Sequence, residues 1–404
     1  MRALVTGIEG FVGPYLARAL LAHGYQVSGF VHDQLFDRLP PSLKQEEFQA
    51  VDLFPFDLSD QEGIKKGLQR AEPDIIFHLA GYSSVRGSFL EPELTYQTNC
   101  RGIENLLEAI RKVQPASKLI FAGSADEFGL QIASEAHYQW ALNQFRTIFP
   151  PPMRVPELPI NETNPLRPLS PYAVSKVYGD HLTRNYWSSY GINTVVARLF
   201  NHEGAGRAET YVTSSLIRQC IQAVNGELDA IQIGNVCAFR DWSHVEDIVE
   251  GYLALGEFGT PGDVYVMGSR RMHSVLTYLL LGLSELGCPV QALETLDGDK
   301  RVEAPMEIDL RPYLGLEFEK LRVDDLMLNG GLCYDLKDSG LNLYTPQGML
   351  KVMFDPGRYR PADVPLLISD PTKAEKLGFR ITRSLQDIVH DQVAYFKNFP
   401  SLKS

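Results

Sequence analysis

The chain has 404 residues, 44% hydrophobic and 22% charged, with a formal net charge of −12. That length allows one large domain or two modest ones, and the composition suits a soluble globular enzyme with a sizeable core. The acidic balance argues against nucleic-acid or membrane partners, which need a basic face, but leaves room for an anionic small ligand held by a few arginines and helix N-termini.

The N-terminal MRALVTGIEG lacks the basic, apolar and small-residue succession of a signal peptide. RALVTG reads as a strand, and FVGPYLARALLAHG has helical spacing and stops at Gly24. Between them TGIEGFVG supplies Gly7, Gly10 and Gly13. Glycines there permit a tight turn and close backbone approach to a pyrophosphate, with a helix N-terminus aimed at its charge. The alternative is a glycine-rich connection without a ligand, which the strand–turn–helix context disfavours.

YQVSGFV predicts a second strand, ending in FVHD. Val31 stands where an acid for the ribose hydroxyls is often found, and His32 and Asp33 follow. Asp33 would repel a 2′-phosphate and no Arg lies immediately there, so NAD is favoured over NADP. Asp57 and Leu58, after a third strand-like stretch, suit an adenine contact, or else an N-cap and a buried leucine. DIIFHLAG is a further strand, TNCRGIENLLEAIRKV a helix, KLIFAG a strand and NTVVARLF another β-rich run. Strands alternating with helices predict a parallel sheet covered on both faces.

FAGSADEFG, following an apolar run, sets Ser124, Asp126 and Glu127 in quick succession. Residues 131–160, rich in proline and aromatics, read as a loop excursion that could fold over a sugar, with Tyr138 and Trp140 available to stack; a dimer-contact loop is the alternative. SPYAVSKVYGDHLTRNYW then places Tyr172 and Lys176 at i and i+4 on one helix face. A phenol titrating near 10 is a poor base, but a neighbouring ammonium favours the phenolate. Alone such a pair is commonly a packed Tyr and a solvated Lys; with the glycine motif and a serine at a strand end it points to redox chemistry at a hydroxyl.

Further on, YLLLGLSELG is too short to span a bilayer and reads as a core helix. Residues 297–345 read as irregular, with GG, DG and SG turn signals, and SDPTKAEKLGF and LQDIVHDQVAYF resume helical patterning. The five cysteines, 100, 220, 237, 288 and 333, lack metal-type spacing and read as reduced thiols in a cytoplasmic setting. No metal site is expected. The predicted architecture is α/β: a Rossmann-type doubly wound parallel sheet, mainly residues 1–200, and a smaller C-terminal lobe, mainly 201–404, with some segments woven back.

TGIEGFVG, HLAGYSSVRGSFLEPE, SPYAVSK, RLFNHEGAGRAETYVTSS, IGNVCAFRDWSHVEDIVEGY, MHSV and DPGRYRPADVPLLISDPTKA together resemble the extended short-chain dehydrogenases/reductases that modify nucleotide sugars, GDP-mannose 4,6-dehydratases and the related GDP-4-keto-6-deoxymannose reductases above all. The resemblance covers most of 1–290 and resumes near 350–390. It implies a nucleotide-sugar substrate, bound NAD or NADP, and a homo-oligomer, dimer or tetramer. Ser124 would hydrogen-bond the sugar oxygen, with Tyr172 and Lys176 as the redox pair. Gly7, Gly10, Gly13, Asp33, Asp57, Leu58, Leu79, Ala80 and Asn99 would hold the cofactor. Ser83, Asn201, Glu203, Val212, Arg240 and Arg360 would hold the substrate, the two arginines at the diphosphate or GDP end unless they make surface ion pairs.

For a 4,6-dehydratase the resemblance implies oxidation at C4, loss of the C5 proton and C6 hydroxyl, and return of hydride to C6. Asp126 stands where the dehydratases resembled here carry Glu, one methylene longer. Adjacent side chains on a strand end point oppositely, so Glu127 is not expected to replace it. A 4-keto-sugar reductase, an epimerase and a non-catalytic NAD(P)-sensing protein stay open, as does a capping role for Asp126. FNHE, AETYVT and MHSV look more like dehydratases, and RPADVP equally like the reductases.

Overall fold

The computed structural model describes residues 1–31, 45–359 and 364–399. The chain divides into two compact units. The first comprises Met1–Phe200, Val245–Gly268 and Asp370–Thr382, and the second Asn201–His244, Ser269–Ser369 and Arg383–Ser404.

In the first unit, strands β1 (Arg2–Thr6), β2 (Gln26–Val31), β3 (Val51–Pro55), β4 (Ile75–His78), β5 (Lys118–Ala122) and β6 (Thr194–Leu199) join Val264–Met267 in one seven-stranded sheet. Its order is Val264–Met267, β6, β5, β4, β1, β2, β3, and every pairing is parallel. The chain therefore winds outward in both directions from β1, whose Thr6 pairs with Phe30 of β2 and His78 of β4. Divergence of successive connections leaves a crevice at the carboxyl ends of these strands, where ligands bind in such sheets.

Apolar runs in β1, β4, β5 and β6 are buried because helices cover both faces. One face packs Tyr15, Leu16 and Leu20 of helix α1 (Val12–Ala22) with Ile248, Val249 and Tyr252. The other packs Ile64, Leu68, Leu106, Leu107, Ile110 and Tyr186.

The excursion predicted as a loop contains a helix, Glu135–Phe145, capped by Ser134. Its own small core of Leu130, Ile132, Ala141 and Ile148 is what the proline-rich composition concealed. A buried Glu157–Arg167 pair, 2.7 Å apart, fastens it, with Ile132 N–H donating to Glu157.

The second unit is built on a five-stranded sheet in the order Arg301–Glu303, Ala292–Thr295, Gly340–Thr345, Gly348–Phe354, Ile231–Ile233. Helices Val212–Val224, Val275–Glu285 and Leu385–Asn398 bury Ile217, Leu279, Leu283, Ile388 and Val393 in its core. The span 297–345, read as irregular, thus supplies two strands of this sheet and a helix, Arg322–Leu328. The turn signals there are real, but they separate short elements, and Gly340–Thr345 pairs with Ala292–Thr295 far back along the chain. No described helix is long and apolar enough to cross a membrane.

Candidate active site

The glycine turn follows β1 directly. Gly7 holds φ +68°, and a Cβ there would come within 2.8 Å of the Ala80 Cα, so β1 and β4 approach this closely only around a glycine. Gly10 donates its N–H to the Gly7 carbonyl at 3.0 Å, and a Cβ at Gly13 would meet the Ile8 carbonyl at 2.4 Å. Among the described residues no side chain caps the start of α1, which leaves its first-turn amides to an anion. A cradle closed to any Cβ and a helix N-terminus without a side-chain cap fit the diphosphate of a dinucleotide.

Leu79 and Ala80 lie at the end of β4, half-buried, and Ala80 N–H donates to Thr6 Oγ1 at 3.2 Å. Thr6 also bonds His78 Nδ1 at 2.8 Å. Ser83 is exposed. The Asp57 carboxylate accepts the Ser59 amide at 2.7 Å, while Asp60 caps the following helix, so the N-cap reading of Asp57 is corrected by three residues. Leu58 is half-buried rather than buried, and a Cβ on Gly102 would touch it at 3.0 Å. Asp33 lies outside the described residues, as does Arg360.

Asn99 sits in a π-helical turn, Gln97–Arg101, ahead of the helix Gly102–Val113. Its side chain bridges Tyr82 N–H and carbonyl (2.7 and 3.0 Å) and donates to Ser175 Oγ at 2.8 Å. It thereby ties the loop after β4 to the helix Pro171–Tyr190 that carries Tyr172 and Lys176.

That helix starts with Ser170 capping the Ala173 amide at 3.1 Å and Pro171 at its first turn. Replacing Ser170 with Ala is expected to destabilise the protein by ~1 kcal/mol, read as a lowered Tm with the fold retained. Gly179 lets the helix lie on β5, since a Cβ there would fall 2.3 Å from the Phe121 ring. Tyr172 and Lys176 are both buried, and Lys176 Nζ stands 5.9 Å from the Tyr172 ring centre and donates to the Ala122 carbonyl at 2.8 Å. Burial draws the Lys176 ammonium down to about 8. Ser124, at the end of β5, is buried too and caps a one-turn 3-10 helix, Ala125–Glu127, through the Asp126 amide at 3.2 Å.

The two acids part company here. Asp126 is half-exposed, and its carboxylate makes no hydrogen bond among the described residues. Glu127 is fully buried, and burial, reinforced by Asp180, pushes its carboxyl well above the ordinary range. Tyr138 packs into the excursion's own core, and Trp140 stands edge-on to Phe145.

In the second unit Asn201 pairs in register with Trp242, and Glu203 is buried, accepting from Thr213 Oγ1 at 2.8 Å with Arg207 at 3.7 Å. Burial raises Glu203 above the usual carboxylate range. Val212, the first residue of its helix, is exposed. Arg240 is buried rather than paired on the surface, and its guanidinium donates to the Phe239 and Val364 carbonyls at 2.8 and 2.7 Å. Next to it Asp241, which the sequence did not single out, gathers the amides and hydroxyls of Ser269 and Ser369 at 2.6–2.9 Å. Its only sequence signal was its place within RDW.

A glycine cradle at the switch point of a parallel sheet, with a Ser–Tyr–Lys set after β5 and on the adjoining helix, defines the short-chain dehydrogenase/reductase class. Residues 3–268 match the model of the NAD dependent epimerase/dehydratase family. The chain belongs to that family, and is an NAD(P)-dependent enzyme. It is 30% identical to a GDP-mannose 4,6-dehydratase of Vibrio cholerae over 97% of this chain and 92% of that protein. A GDP-mannose 4,6 dehydratase 2 of Caenorhabditis elegans is 28% identical over 97% of this chain and 88% of its own length. Among solved structures, UDP-glucose 4-epimerase from Bifidobacterium longum in complex with NAD+ and UDP aligns with a TM-score of 0.69 at 20% identity, covering 99% of each chain. RMD from Pseudomonas aeruginosa complexed with NADPH aligns at 0.64 and 21%, covering 98% of each. These structural likenesses establish the fold.

Proposed function

We propose that the protein is a GDP-hexose 4,6-dehydratase, with GDP-mannose as its substrate. It is a hydro-lyase acting on a nucleotide sugar, and what supports the GDP-hexose is the run of GDP-mannose dehydratases similar to it along nearly its whole length. The observation that carries the reaction is the Asp126 carboxylate, half-exposed and without a hydrogen-bond partner among the described residues, two positions after Ser124.

Ser124 holds the C4 oxygen of the hexose, and Tyr172, with the Lys176 ammonium near its ring, takes the C4 hydroxyl proton. A nicotinamide held by the glycine cradle would accept the C4 hydride and, once water has left, would return it to C6 while a proton returns to C5, so that no external oxidant is consumed. The resulting C4 ketone acidifies the C5 proton. Asp126 removes that proton and delivers it to the C6 hydroxyl, which leaves as water.

Mass spectrometry after incubation with GDP-mannose and no added reductant tests this. A product lighter by one water is expected. Unchanged GDP-mannose, together with reduction of a GDP-4-keto-6-deoxy sugar once NAD(P)H is supplied, would move the protein to the reductases.

A further inference from the structure

The second acid of the turn is unused in this chemistry. Glu127 has no exposed surface, and its Oε1 accepts the backbone N–H of Ser124 at 2.7 Å. Ser124 in turn accepts the Asp126 amide, so a reciprocal pair of side-chain bonds fixes the backbone from which both Ser124 and Asp126 project. Glu127 Oε2 lies 3.4 Å from Nε of Arg198 on β6, and the same nitrogen is 2.9 Å from Asp180. Asp180 also holds Arg184 at 2.6 Å, so it has two guanidiniums where Glu127 has the edge of one. Among the described residues, the charged groups that act on Glu127 are Lys176 and Asp180 from the helix, and Arg198 from β6.

We infer that Glu127 is a positioning residue for the reaction: its buried carboxyl holds the Ser124–Asp126 turn by the Ser124 amide and anchors it, through Arg198, to Asp180 one helical turn beyond Lys176. The inference rests on the roles given above to Ser124, Asp126 and Tyr172. A neutral carboxyl still accepts the Ser124 amide through its carbonyl oxygen, though more weakly than a carboxylate, so the raised pKa does not remove the anchor. When Glu127 ionises it opposes the burial that depresses Lys176, and so keeps the ammonium charged to higher pH.

The test compares Glu127→Gln and Glu127→Ala in the full-length enzyme. Gln keeps an oxygen for the Ser124 amide and offers an N–H toward Asp180. Ala leaves a buried amide unpaired and shifts the turn, so kcat is expected to fall by about 10- to 100-fold with KM within about threefold and a lower Tm. Glu127→Gln is expected to restore kcat at its optimum to within about threefold of wild type. Its alkaline limb should move to lower pH by about half a unit or more, because Lys176 has lost the charge that sustains it.

Unchanged kcat in Glu127→Ala would overturn the assignment. So would a Gln variant with kcat as low as Ala and an unaltered Tm, since that would make Glu127 itself a proton carrier. An unmoved alkaline limb would remove the link to Lys176. If wild-type enzyme turns over another nucleotide sugar without losing water, the dehydratase reading falls. The same ratios are then measured on that turnover, because Ser124, Tyr172 and Lys176 serve every reaction of this apparatus.

Discussion

Tyr172→Phe is expected to lower turnover by about 10²–10⁴-fold. The ring stays, so its packing in a buried position 5.9 Å from Lys176 Nζ stays with it. Lys176 keeps its bond to the Ala122 carbonyl, so the variant should keep its fold and its affinity for NAD(P). Product formation, nucleotide fluorescence titration and thermal unfolding measure the three. Turnover within threefold of wild type would show that the C4 proton goes elsewhere.

Asp126→Asn should separate the two halves of the reaction. Loss of the carboxylate is expected to slow water loss by about 10²–10⁴-fold, while oxidation at C4, which depends on Tyr172 and Lys176, persists. In a single turnover the reduced nicotinamide absorbance should then appear and remain. Because Asp126 is half-exposed and its carboxylate carries no hydrogen bond among the described residues, the substitution should leave stability within about 0.5 kcal/mol. Asp126→Glu should still dehydrate, since it keeps the acid and lengthens it by one methylene. Water loss at the wild-type rate in Asp126→Asn would exclude Asp126 as the acid/base group. Glu127 could not take its place without leaving the interior, where it is bonded to the Ser124 amide.

Much of the site was legible because its signals are local. Gly7 of TGIEGFVG is required by a turn whose neighbour, Ala80, lies too close for a Cβ, and Tyr172 and Lys176 share a helix face by spacing alone. The burial of Arg240 was not legible, since an arginine in a two-residue strand reads the same whether it is exposed or held by the Phe239 and Val364 carbonyls. Nor was the order within 131–160 and 297–345: the first is held by Glu157 and Arg167, and the second by strands paired far along the chain. Turn residues mark where such segments bend, not what they pair with.

The sequence by itself determined the parallel αβ architecture, the glycine turn after β1 and the shared helix face of Tyr172 and Lys176, because hydrophobic period, glycine sterics and i, i+4 spacing are properties of a few consecutive residues. Only the tertiary structure decided between the two acids after β5. Neighbours in a 3-10 turn diverge by about 120°, and which one faces inward depends on Arg198 from β6 and Asp180 from the helix packed against it. Burial is a property of what surrounds a residue, so that choice was made by distant parts of the chain.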